Sequence, residues 1–312
     1  MADPAHEETE ELIGKVERRV RREYLRALTE TQEKLEGYLS RFGAKDSIKR
    51  GQAERGEITQ EEYATWRRNQ ILVGERWREM VDGLAEDYAN AGEIAMSAVS
   101  EHTPDAYAAN FNYGTFQAES GAGVDTAFTL YDAQTVERLV RDEPDLLPEP
   151  KVDVAKERRW NRQHIVSAVT QGILQGESLD KVARRLQSVA DMDFRAAMRN
   201  ARTAMTGAQN AGRIDSYRRA EAMGIEMRQE WMATLDGRTR HSHRRLDGER
   251  VKVGERFSNG CRYPGDPVGK PAEVYNCRCT LVAVVDGVED DVPRSSKLGD
   301  MSYEEWKEGK NG

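Results

Sequence analysis

Apolar residues recur at three- and four-residue steps along the first forty residues, with charged residues between them. The stripe consists of Leu12, Val16, Val20, Tyr24, Leu28, Leu35, Leu39 and Phe42. This spacing puts the apolar side chains on one face and predicts a long amphipathic helix. The polar run from Gly43 to Gly56 breaks the period, so we expect the helix to end there.

A second helix is predicted from Thr59, because Thr59 followed by Glu62 has the spacing of a capping box. Its buried face would be formed by Trp66, Val73, Trp77, Met80, Leu84, Tyr88 and Ala95. Two long helices with a short polar link predict an antiparallel hairpin, which needs a partner surface to bury its apolar stripe.

Local signals divide the next part of the chain. Thr103 and Pro104 predict the start of another helix, and Gly121-Ala-Gly123 predicts its end. Residues Asp142 to Lys151 are rich in proline and acids and are typical of a linker. We therefore expect a domain boundary near Glu149.

Helical periodicity returns after the linker. One helix carries Trp160, Ile165, Val169 and Ile173 and would stop near Gly176; Ser178 would cap the next, with Leu179, Val182, Leu186 and Val189 on its face. A third helix is predicted from Phe194 to Met223, with a stripe of alanines, and Gly224 as its C-terminal cap.

The pattern then changes to period two. Residues 225 to 233 alternate between apolar and polar and predict a strand that ends at Asp236-Gly237. Short strands are expected at 251–253 and 280–285. Helices followed by strands predict an α+β fold: a long N-terminal helical hairpin region (1–149), then a helical segment and a small antiparallel β-sheet domain (150–285), then an acidic tail (286–312).

Composition and charge refine this picture. The mean hydropathy of -0.79 favours helices with much exposed surface, and no long apolar run or signal peptide is visible, so we expect no membrane span. An odd cysteine count of three favours a reducing compartment. The net charge is -8, yet residues 195–278 carry 17 basic against 10 acidic residues. This asymmetry makes Arg202, Arg213, Arg218 and Arg240 candidates for phosphate contact with double-stranded DNA.

Residues with reactive side chains concentrate in two short segments. The first runs from Asp236 to Gly248 and contains His241 and His243; the second is Asn276-Cys-Arg-Cys279. We expect folding to bring the two segments together.

The wider order of motifs is specific. Ala201-Arg-Thr203, Asn210-Ala-Gly-Arg213, Tyr217, Gly224 and Trp231 precede the first segment, and Pro264-Gly-Asp-Pro267 and Glu273 precede the second. In this order, residues ~153–285 resemble the phage Mu F-like minor head (head morphogenesis) protein family.

The resemblance implies a minor capsid protein of a tailed bacteriophage or prophage. Such a protein is incorporated in few copies with the portal during procapsid assembly, in the host cytoplasm, and then resides in the virion head. Its expected partners are portal and head or scaffold proteins, with double-stranded DNA as a further candidate and a role in DNA ejection. Deleting residues 1–150 is expected to abolish incorporation without unfolding the rest.

Two interpretations of the histidines and cysteines stay open. His241, His243, Cys277 and Cys279 could supply two ligand pairs for a zinc ion. Relatives in the family carry Cys-x-x-Cys where this chain has Arg240-x-x-His243, and His-Pro where it has Val274-Tyr275, so a metal site carried over from them would lack ligands. The alternative is loop architecture: Asp236, Arg238, His243, Gly248 and Asn276 form a structural hydrogen-bonded network.

An enzymatic function is the alternative from another class. Two histidines near Asn276 are compatible with a metal-dependent nuclease or a toxin-like enzyme carried in the phage particle. The third histidine and the following helix that such a nuclease needs are not visible, because an apolar strand follows Cys279. We therefore expect that the protein is not an enzyme.

Overall fold

The computed structural model describes residues 3–72, 75–126, 128–143, 146–147, 154–175, 177, 179–289, 292 and 298–310. In chain order, its elements are α1 (Pro4–Glu54), α2 (Gln60–Leu72), α3 (Glu75–Ala122), α4 (Ala133–Asp142), α5 (Val154–Leu174), α6 (Leu179–Ala222), β1 (Ile225–Met232), α7 (His241–Leu246), β2 (Arg250–Lys252), α8 (Pro271–Val274), β3 (Thr280–Val288) and α9 (Tyr303–Lys310). Within these ranges, no helix combines the length and the apolar character needed to cross a membrane.

Helix α1 is longer than its hydrophobic pattern predicts. The expected end at Gly43 is wrong, because the helix continues to Glu54. Asp46 explains the difference: it is buried, accepts a hydrogen bond from the Tyr63 hydroxyl at 2.8 Å and lies 3.3 Å from Arg50. The polar face of this stretch therefore packs on a neighbouring helix, which offsets the roughly 1 kcal/mol that a glycine costs inside a helix.

The turn between α1 and α2 lies at residues 55–59, and the capping box at its end is confirmed. The backbone N–H of Glu62 donates to the Thr59 hydroxyl at 3.1 Å, and the Glu62 carboxylate accepts the Thr59 N–H at 2.7 Å. The two helices form the predicted antiparallel hairpin: Tyr38 binds the carbonyl of Gln70, and further along the ring of Phe42 stacks on Trp66. Val73 lies outside the described residues.

Helix α3 passes through the expected helix start at Thr103-Pro104, so that prediction is wrong. A proline inside a helix has no N–H for the carbonyl four residues earlier, which here is Ser100. The Thr103 hydroxyl donates to that carbonyl instead, at 3.3 Å. The predicted end is confirmed: α3 stops at Ala122, and Gly123 follows with φ +64°.

The two helices expected from Ser178 to Met223 are one helix, α6, which runs from Leu179 to Ala222 without a break at Phe194. Asp193 and Phe194 lie in its interior, where Asp193 is buried. The cap at Gly224 is confirmed by its φ of +86° and by the N–H that it donates to Glu221. Helix α5 ends at Leu174; Gly176 and Ser178 lie outside the described residues, as does most of the expected linker around Glu149.

The three strands form one antiparallel sheet in the order β2-β1-β3. The central strand β1 buries alternate residues, and Trp231 pairs with Leu281 of β3. The strand ends four residues before the expected Asp236, and β3 extends to Val288 rather than to Val285. The predicted α+β fold with long N-terminal helices is confirmed.

The chain divides into two compact units that are discontinuous in sequence. One comprises residues 1–17, 97–151 and 199–312 and contains the sheet; the other comprises residues 18–96 and 152–198 and is helical. The division of the sequence at residues 149 and 285 stays a prediction.

Candidate functional site

Asp236 joins the two chemistry-bearing segments. Its carboxylate oxygens accept hydrogen bonds from both terminal nitrogens of Arg278, at 2.6 and 2.7 Å, and one also accepts the backbone N–H of Arg238 at 2.8 Å. These bonds, above all those from Arg278, hold the pKa of Asp236 well below its usual range. A bidentate pair fixes both distance and orientation, so the expectation that folding brings the segments together is confirmed.

The other end of the first loop is closed on β1. The backbone N–H of Gly248 donates to the carbonyl of Trp231 at 2.9 Å, and the N–H of Trp231 donates to Glu249 at the same distance. Gly248 has φ +78°, a conformation that glycine adopts without steric cost. This explains why the loop carries glycine at this position.

The second segment is fixed by a strained turn and by an arginine clamp. Asn276 has φ +55°, and its N–H donates to the Thr203 hydroxyl at 3.2 Å. The two terminal nitrogens of Arg240 donate to the carbonyls of Ala272 and Tyr275. Arg240 therefore ties the first segment to the chain just before Asn276.

Helix α6 supplies polar residues that hold the two cysteines. The Thr206 hydroxyl donates to the carbonyl of Cys277 at 2.9 Å, and the side-chain amide of Asn210 donates to the carbonyl of Cys279 at 3.3 Å. The amide oxygen of Asn210 accepts the N–H of Leu281 at 2.9 Å. Asn210 belongs to the motif order, but the sequence predicts no role for it. Residue spacing does not reveal that its side chain contacts a segment about seventy residues further along the chain.

His243, Cys277 and Cys279 form a buried cluster in which each residue is 2% exposed. Nδ1 of His243 lies 3.3 Å from Sγ of Cys279 and 3.6 Å from Sγ of Cys277. On the other side of the ring, Nε2 lies 3.2 Å from a carboxylate oxygen of Glu273. Glu273 belongs to the motif order, but residue spacing does not predict its contact with His243.

The two thiols differ in their acid–base properties. The hydrogen bond from Cys277, followed by the contact with His243, lowers the pKa of Cys279 below its usual range. Burial raises the pKa of Cys277 well above its usual range.

Three other residues, from the first segment and the loop between the two segments, lie outside this cluster. His241 is exposed and does not belong to the group of potential ligand atoms, which consists of His243, Cys277 and Cys279 among the described residues. Cys261 is buried, and burial raises its pKa to about 11. Arg238 contributes its backbone N–H to the network, while its side chain is 82% exposed.

The four arginines that charge patterning singled out all have protein partners. Arg213 is fully buried and donates to Asn110, to the carbonyl of Leu281 and to Asp3, which is at odds with a phosphate contact. Arg202 is paired with Glu10, and Arg218 with Asp215. Arg240 donates to backbone carbonyls, as described above.

The family described as Phage Mu protein F like protein matches residues 163–282, which include both segments. The chain is also 30% identical over 273 residues to the minor head protein GP7 of Bacillus phage SPP1, covering 83% of this chain and 84% of that relative. The chain therefore belongs to the phage Mu F-like head morphogenesis family.

Two further relatives share a shorter part. An NAD(+)--arginine ADP-ribosyltransferase named EFV, from Enterococcus faecalis, is 32% identical over 46% of this chain, but the match spans 31% of that relative. The uncharacterized protein YqbB of Bacillus subtilis is 28% identical over half of each chain. No solved structure matches the chain.

Proposed function

We propose that the protein is a minor head protein that is built into the phage head during procapsid assembly and associates there with the portal. The similarity to the minor head protein of phage SPP1, over 84% of that relative's length, carries this proposal. The match covers 83% of this chain, so it extends well beyond the length of residues 163–282 and includes much of the helical part.

The geometry supports a structural role for the two segments. The Asp236–Arg278 pair, the Arg240 clamp and the hydrogen bonds from α6 commit the polar groups of the motif to one another. Groups that are already bonded to protein partners define the shape of a loop and leave few free donors for a ligand. In this proposal, the shaped loop presents a docking surface to other head proteins.

Incorporation into heads is the direct test. The phage or prophage that encodes the chain is induced with an epitope-tagged copy, heads are purified, and the tagged chain and the portal are quantified by mass spectrometry. We expect the chain in purified heads at a low, fixed ratio to the portal, and co-precipitation of the portal from detergent-free lysates. Its absence from DNA-filled heads that are otherwise complete would overturn the proposal.

Two arginine variants distinguish a specific role of the loop in incorporation from a general effect of net charge. Arg278→Ala removes the bidentate partner of Asp236, whereas Arg22→Ala removes an arginine of α1 whose side chain is 72% exposed. We expect Arg278→Ala to reduce incorporation and Arg22→Ala to leave it unchanged. Equal incorporation of both variants would mean that the loop is not the docking surface.

DNA contact forms a second part of the proposal, and the structure alters which residues would make it. Arg213 is fully buried and Arg240 donates to two backbone carbonyls, so we assign the contact to the exposed Arg238 and Arg245 of the first loop. Arg238 lies 3.8 Å from Asp236, and Arg218, which is 50% exposed, stays a further candidate. The stretch from Arg238 to Arg245 carries four arginines and no acid, and such a patch binds phosphates without sequence preference.

Gel retardation of linear duplex DNA across a salt series tests this contact. The double variant Arg238→Ala/Arg245→Ala should weaken binding and reduce the slope of log affinity against log salt by about 2. The matched control is Arg22→Ala/Arg26→Ala, which removes two exposed arginines from α1. Equal weakening by both pairs would point to net charge instead of a site.

That the protein is not an enzyme stays our prediction. The burial of His243, Cys277 and Cys279 supports it, because a substrate cannot reach side chains that are 2% exposed without local opening. Incubation of the same DNA with and without chelator is the check, and chelator-sensitive cleavage would contradict the prediction.

A further inference from the structure

We propose that His243, Cys277 and Cys279 bind a thiophilic divalent cation, with zinc as the best-fitting ion, and that Glu273 is a positioning residue for His243. This inference goes beyond the proposed function and does not depend on it. It also changes the ligand set that sequence spacing suggested, because His241 is exposed and takes no part.

The distances match the geometry of a tetrahedral zinc site. The three ligand atoms lie within 4.8 Å of one another, and the Nδ1–Sγ distances are 3.3 and 3.6 Å. Zinc–sulfur and zinc–nitrogen bonds at a tetrahedral angle put a nitrogen and a sulfur ligand about 3.6 Å apart. The two nitrogen–sulfur pairs thus already stand at about the separation that a shared ion requires.

The orientation of the imidazole selects the tautomer that a metal needs. Glu273 lies 3.2 Å from Nε2, and neither Nε2 nor this carboxylate oxygen has a hydrogen-bond partner among the described residues. A carboxylate at Nε2 favours the proton on that nitrogen, which leaves the lone pair of Nδ1 directed at the two sulfurs. Metal-binding histidines are commonly held by a carboxylate in this way.

The backbone around the ligands is fixed before any ion binds. Thr206 and Asn210 hold the carbonyls of the two cysteines, and Arg240 holds the chain that leads from Glu273 to Asn276. The indole ring of Trp231 meets the His243 ring edge to face at 5.3 Å between centroids. A preorganised shell of this kind loses little entropy when the ion binds.

The ligand types favour a soft or borderline ion. Two thiolates and one imidazole select zinc over magnesium or calcium, which prefer oxygen ligands. Three protein ligands leave the fourth position of the tetrahedron to a non-protein ligand. Ion binding would release the protons of thiols that are not already ionised, so affinity should fall at acidic pH.

The same three side chains could in principle serve as a thiol–imidazole–carboxylate catalytic set, or the two cysteines could form a disulfide. Burial argues against the first, because Cys279 is 2% exposed. The second requires an oxidant, and both thiols are free in this structure. Metal binding requires neither access of a substrate to the buried side chains nor an oxidant.

The test uses the full-length chain, purified without added metal and reconstituted with zinc or with cobalt(II). We expect one zinc ion per chain after gel filtration. The cobalt form should show thiolate-to-cobalt charge-transfer absorption and the strong visible bands of tetrahedral cobalt. An intact mass under non-reducing conditions distinguishes free thiols from a disulfide.

Four variants assign the ligands. Cys277→Ser, Cys279→Ser and His243→Gln should each lose the ion, whereas Cys261→Ser is the matched control for loss of a buried cysteine and should retain it. Glu273→Gln should retain the ion with affinity reduced about 10- to 100-fold, which is typical for a group that orients a ligand.

The outcomes that overturn the proposal are distinct. Absence of bound zinc with free thiols, a disulfide between Cys277 and Cys279, or equal loss of zinc in Cys261→Ser would each do so. If a ligand variant fails to fold, the cobalt spectrum of the unchanged chain decides, because it shows charge transfer only when thiolates bind the ion. None of these results depends on incorporation into heads.

Discussion

At the scale of single residues, Asp193 is an acid whose burial has a thermodynamic consequence. It lies in the helical unit, where its carboxylate accepts hydrogen bonds from the Tyr24 hydroxyl at 3.0 Å and from the Asn161 amide at 3.2 Å. These bonds favour the charged form, but burial outweighs them and raises the pKa of Asp193 to about 6. The hydrogen bonds thus join α1, α5 and α6 through a carboxylate that is costly to ionise.

This shift predicts a pH dependence of stability. Because the pKa is raised in the folded state, the folded chain holds the proton more tightly than the unfolded chain between pH 6 and pH 4. The free energy of unfolding should therefore increase as the pH falls through this window, and the charge at neutral pH costs about 3 kcal/mol. Urea unfolding monitored by circular dichroism between pH 4 and pH 7 measures the effect.

Replacing Asp193 removes the titrating group that causes this pH dependence. Asp193→Asn keeps an oxygen that accepts hydrogen bonds but carries no charge, so we expect higher stability at pH 7 and a flatter dependence on pH. Asp191→Asn is the control, since Asp191 lies two residues away on the same helix and is exposed. An unchanged pH dependence in Asp193→Asn would refute the assignment.

The candidate site was only partly predictable from its residues. Spacing and motif order predicted that Asp236 and the Asn276–Cys279 segment meet, because both are dense in polar groups that need partners. They did not predict that Arg278 would be the partner of Asp236, or that Glu273 would face His243. Such pairings depend on the path of the chain between the segments, which local pattern does not contain.

At the scale of elements, periodicity predicted where the helices lie better than where they end. The expected breaks at Gly43, Thr103 and Phe194 all lie inside continuous helices. In each case a buried polar residue has a partner within its own unit: Asp46 binds Tyr63, Thr103 binds the Ser100 carbonyl and Asp193 binds Tyr24. Tertiary and local hydrogen bonds offset helix-breaking signals that are weak individually.

The capping box at Thr59 provides a prediction for one element. Thr59→Ala removes the acceptor for the Glu62 N–H and should destabilise the first turn of α2 by about 1 kcal/mol. Hydrogen exchange of the Glu62 amide measures this locally, and faster exchange is expected.

A second threonine gives the control. Thr29 is exposed in the interior of α1, where its hydroxyl donates to the Leu25 carbonyl. Alanine has the higher helix propensity, so Thr29→Ala should be neutral or slightly stabilising. Similar destabilisation by both substitutions would mean that the hydroxyl of Thr59 does not act as a cap.

At the scale of the whole molecule, the two compact units alternate along the sequence. Residues 1–17 and 97–151 belong to the unit that contains the sheet, and Tyr107, Phe111 and Ala118 of α3 are part of its hydrophobic core. Deleting residues 1–150 would expose the core on which the sheet packs, so we now expect the deletion to unfold the rest of this unit rather than to leave it folded. A loss of incorporation by that deletion would reveal nothing about docking.

The N-terminal segment is bound to this unit by a buried charge pair. Arg213 is fully buried, and Asp3 is the acid that it contacts, at 2.6 Å. Burial favours the neutral form of Arg213, whereas Asp3 stabilises its charge, and the net effect raises the pKa of Arg213. Asn110 helps to hold the same segment, since its amide donates to the Ala5 carbonyl at 3.2 Å and its oxygen accepts from Arg213.

Asp3→Ala should therefore destabilise the sheet-containing unit. It leaves the guanidinium of Arg213 buried without its counter-charge, and loss of one partner of a buried pair costs about 3 kcal/mol or more. The control is Asp286→Ala, which removes an acid paired with Arg228 at 2.5 Å in an exposed ion pair of the same unit and should cost less than about 1 kcal/mol. The unfolding of this unit in urea is followed by tryptophan fluorescence. The tryptophans outside the unit are replaced in every variant, so that the signal reports on this unit alone. If the two substitutions lower the unfolding midpoint equally, the first residues of the chain do not contribute the counter-charge that Arg213 requires.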